Sequence, residues 1–137
     1  MNIISKSSSK DTIIIISIFF VFTLVFLVFY TEIIKSNKIR DSEKIFNIVK
    51  QELTKEINKC RNKEQNLIFG IPCEQELTTE IISNYFNKTI KLKNPYDDFD
   101  GVQGTAGSVQ IDMQNKILIL SVDIDASGGI DIEHTIY

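Results

Sequence analysis

Apolar positions change their spacing along this chain, from an unbroken run to a helical stripe and then to alternation. Thr12 to Tyr30 (TIIIISIFFVFTLVFLVFY) contains no charge, Gly or Pro; Lys10 and Asp11 bound it on one side, Glu32 and Lys35 on the other. About 20 apolar residues at 1.5 Å each cross a hydrocarbon layer of roughly 30 Å as one helix. A helix satisfies its own backbone there. The run therefore predicts a transmembrane anchor over 12–30, after a short polar segment, 1–11. A secretory signal has a shorter apolar core and a small-residue cleavage site. This run is long, aromatic-rich and ends in Phe29-Tyr30-Thr31-Glu32, so the anchor is expected to stay uncleaved.

From Ile33 to Asn62 there is no Gly or Pro. Ile45, Val49, Leu53 and Ile57 recur at helical spacing, with Phe46 and Cys60 beside them. Residues 31–62 are expected to form an amphipathic stalk helix, continuous with the anchor over about 50 residues, or roughly 75 Å. Glu52–Glu56 and Lys55–Lys59 are like-charged neighbours, so burial of the stripe is expected to outweigh surface pairing.

Residues 63–137 form the expected head. Gly70 and Pro72 reverse the chain, and Cys60 and Cys73 bracket that turn. In an oxidising compartment the spacing reads as a disulfide contributing about 3 kcal/mol; free thiols are the alternative reading. Zinc wants four ligands, and the sole His is distant, at His134. Glu74 to Phe86 reads as a short helix lined by Leu77, Ile81 and Tyr85, with Ile82 and Phe86 adjacent. Asn87-Lys88-Thr89 has the form of a glycosylation sequon.

The period then becomes that of strands. Val109, Ile111 and Met113 alternate with Gln110 and Asp112; a Gln114-Asn115 turn leads into Lys116–Asp125; a turn at Ala126–Gly129 leads into Ile130–Ile136. The expectation is a three-stranded antiparallel meander whose apolar face packs on the stalk stripe. The fold class is α+β.

Charge narrows the partners. The whole chain has 15 basic and 18 acidic residues; leaving out Lys6, Lys10 and Asp11 of the first 30 residues, 13 and 17 remain. A mildly acidic domain has no electrostatic footprint for nucleic acid. Lys35, Lys38, Arg40 and Lys44 follow the anchor, and counted alone they would keep the C-terminal part cytoplasmic. Long domains translocate largely regardless of charge, and paired cysteines need an oxidising compartment. The head is accordingly expected to be periplasmic or extracellular, on a single-pass membrane protein.

Asp97, Asp98 and Asp100 crowd one loop before Gly101 and make a candidate calcium site, since hard oxygen ligands on a flexible loop suit that ion. Their spacing is not that of an EF-hand, and Asp is also an ordinary turn former. Asp123, Asp125, Asp131 and Glu133 alternate with apolar residues and read as the wet face of a sheet. His134 continues the apolar face of the last strand and reads as structural. There is no P-loop, dinucleotide fingerprint or Cys-x-x-Cys, and a small open meander is expected to lack a cleft. No catalytic residue and no resident cofactor are assigned; the chain reads as a non-enzyme.

The element order carries a resemblance. A membrane helix running into an amphipathic helix, a disulfide-tied turn, Asn94-Pro95-Tyr96 before the first strand and a terminal meander resemble a type IV pilin or pseudopilin. That resemblance implies a subunit of a cell-surface or secretion filament, assembling through its apolar helix with like or related chains. Some pseudopilins hold calcium in a comparable loop. The start of the apolar run departs from the family. Lys10-Asp11-Thr12-Ile13-Ile14-Ile15 stands in place of the Gly-Phe-Thr-Leu-Ile-Glu-like processing motif. The competing expectation is a tethered binding module that does not polymerise.

Overall fold

The structure, a computed structural model, describes residues 9–114 and 117–136. The chain divides into two compact units, one ending at Ser36 and one beginning at Asn37. Most of the polar segment 1–11 and Asn115 of the expected turn lie outside the described residues.

Helix α1 spans Ser9–Arg61. In the first unit it carries one segment long and apolar enough to cross a membrane, with a mean hydropathy of 3.0 and none of it buried. Two hydroxyls in and just after this stretch are satisfied locally: Thr23 Oγ1 donates to Phe19 O (2.9 Å), and Thr31 Oγ1 donates to Val28 O (2.8 Å). Such back-bonding removes the cost of a bare hydroxyl in an apolar medium.

In the second unit the α1 stripe is buried where its period places it. Phe46, Val49 and Leu53 lie in the core, and Ile45 and Ile57 pack at its margins. Ser42 is buried on the same side, its Oγ donating to Gly107 O (3.4 Å). The helix surface does carry ion pairs, at i,i+3 rather than i,i+4: Asp41–Lys44 (2.9 Å), Glu52–Lys55 (3.4 Å) and Glu56–Lys59 (2.9 Å). Surface pairs of this kind contribute little, so burial remains the main support.

After α1 the chain makes a ribbon absent from the sequence reading, β1 (Leu67–Ile68) antiparallel to β2 (Ile71–Pro72). Phe69 and Gly70 both have positive φ (51° and 88°), the combination a tight primed hairpin turn requires. Phe69 accepts that conformation while its ring packs on Tyr85 (4.6 Å) and Phe86 (6.1 Å). The Cys60–Cys73 disulfide forms and ties the ribbon to the end of α1.

The expected helix over 74–86 begins later. Glu74 and Glu76 precede it; α2 spans Thr79–Asn84, capped by Thr78, whose Oγ1 accepts from Ile81 N (3.3 Å). A π-helical turn follows over Tyr85–Ile90 and ends at Lys91 in the left-handed region. Ile82 and Phe86, four residues apart, are fully buried, whereas Ile81 and Tyr85 are half-buried.

The meander is present: β3 (Val109–Gln114), β4 (Ile117–Val122) and β5 (Ile132–Ile136) in the order β3-β4-β5, all antiparallel. Val109, Ile111, Leu118, Leu120, Val122 and Ile136 turn inward and meet the α1 stripe, Ile82, Phe86 and Val102 in one core. The alternation of small strands and the helical period thus converge on a single helix-on-sheet layer.

Candidate functional site

Two loops at one end of the sheet converge on Tyr96. The first is organised by Asn94, fully buried ahead of Pro95. Its Nδ2 donates to Thr105 Oγ1 (3.0 Å) and Ala106 O (2.9 Å), and its Oδ1 accepts from Tyr96 N (3.0 Å). One side chain thereby satisfies three groups that no regular ladder reaches. Gly107, at φ 89°, lies beneath the Tyr96 ring; a Cβ there would come within 2.5 Å of Tyr96 Cδ2. Asn87 makes a second clamp, donating to Val102 O (2.8 Å) and accepting from Val102 N (3.1 Å). The sequon amide is therefore engaged within the fold.

The second loop joins β4 to β5. Tyr96 Oη donates to Ile124 O (2.6 Å), binding the loops together, while Lys38 Nζ lies 5.2 Å from the centre of the Tyr96 ring. Burial of the phenol, followed by the negative charges of Asp125, Asp123 and Asp131, raises the Tyr96 pKa above 10.0. Because the folded value is raised, this group's contribution to stability is complete below the ordinary tyrosine range. It is lost as pH rises through the raised value. Alkaline titration followed by phenolate absorbance should lose a component that ionises above the ordinary tyrosine range in Tyr96→Phe. An unchanged curve would separate Tyr96 from the acidic loop.

Carboxylate oxygens of Asp123, Asp125 and Asp131 all lie within 4.8 Å of one another, the sole grouping of three such ligands among the described residues. Ser127 N donates to Asp123 Oδ1 (3.1 Å) and Asp125 Oδ1 (3.0 Å), Gly128 N donates to Asp123 Oδ2, and Ile124 N donates to Asp131 Oδ2 (2.8 Å). Backbone donors thus hold three negative charges in one half-exposed loop. Hard oxygen donors of this kind suit a divalent cation such as calcium.

This placement differs from the sequence reading. Asp123, Asp125 and Asp131 are not on the wet face of strands: β4 ends at Val122 and β5 begins at Ile132, so all three belong to the connection. The signal was present in Asp123-x-Asp125-x-Ser127-Gly128, with Asp131 at the ninth position. It matches the first part of an EF-hand loop, but His134 stands where the bidentate Glu would be. Asp97, Asp98 and Asp100 do not gather in this way. Asp97 accepts from Phe99 N (3.0 Å) and from Thr105 Oγ1, Asp98 is exposed at φ 61°, and Asp100 bridges to Lys93 through the backbone. Glu133 is exposed on β5 and His134 is half-buried opposite Leu120.

The head does contain a concavity, contrary to the expectation of none. An open groove of about 530 Å³ is lined by Ile57, Leu77, Met113, Leu118 and Ile136, with the disulfide and Arg61, Glu74 and Glu76 at its edges. Neither His134 nor any of the three clustered aspartates lines it. Compared with family models, curated proteins and solved structures, the chain matches none.

Proposed function

We propose that this chain is a membrane-anchored, pilin-like structural subunit, with its head outside the cytoplasm and its apolar helix assembling against neighbouring subunits. The observation that carries the reading is the double character of α1. An exposed apolar run occupies its first part, and the stripe that builds the head's core occupies its second. A single helix serving lipid at one end and a sheet at the other suits a subunit whose apolar segment passes from lipid into a protein core. The antiparallel meander and the disulfide support the same reading, and the disulfide favours an oxidising compartment.

The experiment is substitution along the apolar run, read by sedimentation of sheared surface material and by membrane retention. Polar residues placed on one face, for example at Phe19, Thr23 and Phe26, should abolish assembly while leaving the chain in the membrane. The same loss should follow replacement of the run by poly-Leu. A chain that is monomeric and behaves identically with poly-Leu overturns the reading in favour of a tethered binding module.

A further inference from the structure

The groove in the head has three walls, and one of them is held differently from the others. Ile57 and Arg61 belong to α1, while Met113, Leu118 and Ile136 belong to the sheet, so two walls are parts of regular elements. The third, 73–77, lies between β2 and α2 and is neither helix nor strand. Among the described residues its backbone N–H groups donate at Cys73, to Asn66 O (3.0 Å), and at Gln75, to Pro72 O (2.9 Å). Both bonds reach only the ribbon and the residue before it. The Cys60–Cys73 disulfide, with Cα atoms 5.6 Å apart, is what ties this wall to α1. Both cysteines are half-buried, and neither belongs to the core cluster. They line the groove and also a second recess of about 650 Å³, shared with Lys63, Gln65, Leu67 and Pro72. The bridge therefore stands between two open spaces. Gln65 Nε2 lies 3.8 Å from Cys60 Sγ as a donor.

We propose that this bridge is a redox latch on the groove: a dithiol reduces it while the head stays folded, and the 73–77 wall then moves away from α1. One thiolate of the dithiol attacks Cys73 Sγ, and a new S–S bond forms as the Cys60–Cys73 bond breaks. The electron pair leaves on Cys60 Sγ, where the Gln65 amide donates to it, and water then protonates that thiolate. The second thiol of the dithiol, as its thiolate, attacks the mixed disulfide and releases Cys73 as a thiolate, which water also protonates. The dithiol ends as a disulfide and the head gains two thiols, a two-electron reduction of the bridge. Loss of the cross-link returns conformational freedom to the segment it closed. The α1 stripe and the sheet keep the core they share, in which the cysteines take no part. Opening of the groove is thus separable from unfolding. The latch goes beyond the anchored-subunit reading and depends neither on the anchor nor on helix assembly.

The test treats the full chain, in detergent and without denaturant, with a series of dithiothreitol concentrations, and counts free thiols by alkylation and mass. Reduction should be first order in dithiothreitol and unchanged by urea below the unfolding transition, because the thiolate attacks the bridge of the folded head. Amide hydrogen exchange should then rise roughly ten-fold in peptides covering 62–78, while β3 and β4 stay as protected as before. Reoxidation should restore slow exchange, and Cys60→Ser with Cys73→Ser should give the fast pattern with or without dithiothreitol. A reduction rate that levels off at the rate of unfolding, or climbs with urea as steeply as unfolding does, overturns the proposal. The bridge is then a staple reached only in the unfolded chain. Reduction that leaves 62–78 protected overturns it too, as does loss of protection throughout the sheet. All of these outcomes leave the assembly reading to be judged by its own sedimentation and membrane-retention experiment.

Discussion

Phe86→Ala is expected to unfold the head of the detergent-solubilised full chain at or near ordinary temperature. Phe86 is 0% exposed and lies at the meeting point of the π-helical turn, the β1–β2 ribbon and the sheet. Its ring is 5.3 Å from Tyr85 in an edge-on arrangement and 6.1 Å from Phe69. Truncating a buried Phe costs about 3–5 kcal/mol, from lost transfer energy and the cavity left behind. A domain of this size has a total stability of roughly 5–15 kcal/mol. Each kcal/mol lowers the melting midpoint by roughly 4–8 °C in a domain of about 100 residues. The measurement is near-ultraviolet circular dichroism against temperature. Phe86→Leu keeps most of the volume and should fall between wild type and alanine. A melt unchanged by alanine would mean that the aromatic cluster does not hold the core together.

Removing the disulfide is the second large effect. Cys60→Ala with Cys73→Ala should lower stability by about 3 kcal/mol on the loop-entropy model, for a sequence separation of 13. The loss should also be local. Between the cysteines the chain is held by the two-residue β1–β2 ladder, by Cys73 N donating to Asn66 O (3.0 Å), by Ile68, buried at 3%, by the Phe69 ring, and by Gln65 Nε2 donating to Glu56 Oε2 (2.8 Å). That is little for a segment joining α1 to α2, and Arg61 and Lys63 sit exposed within it. Limited trypsin digestion should cut at these two residues about ten times faster in the double variant, before any cut inside the sheet. Equal cutting rates with an equal melting midpoint would show that burial of Ile68 and Phe69 suffices without the covalent link.

The same contrast between local and convergent features separates what was legible in the sequence from what was not. Helical spacing placed Phe46, Val49 and Leu53 on one stripe, and alternation placed Val109, Ile111, Leu118 and Leu120 on one sheet face; both are buried accordingly. The α2 region was harder. Leu77, Ile81 and Tyr85 extrapolate a helix from Glu74, but α2 begins only at Thr79 and turns Ile82 and Phe86 fully inward instead. This region is also tied to the rest of the head: Asn87 clamps the backbone of Val102, a residue remote in sequence, in both directions. The β1–β2 ribbon leaves no pattern in the sequence, because two-residue strands are too short to carry a period.

The acidic loops divide along the same line. Asp97, Asp98 and Asp100 are close in sequence, yet turn geometry sends their carboxylates to separate tasks. Asp123, Asp125 and Asp131 alternate with other residues like surface positions, yet β4 ends at Val122 and the connection that Tyr96 Oη grips at Ile124 O gathers them.

By itself, then, the sequence determined the apolar run, the helix stripe, the order of the antiparallel strands and the placing of Cys60 and Cys73 on either side of one turn. Each depends on spacing between near neighbours, which backbone geometry converts directly into a face or a closed loop. Only the tertiary structure decided where strands stop, which carboxylates converge, and how Asn94 and Asn87 satisfy distant backbone. Those outcomes depend on which remote segments share one core, and no local period encodes that.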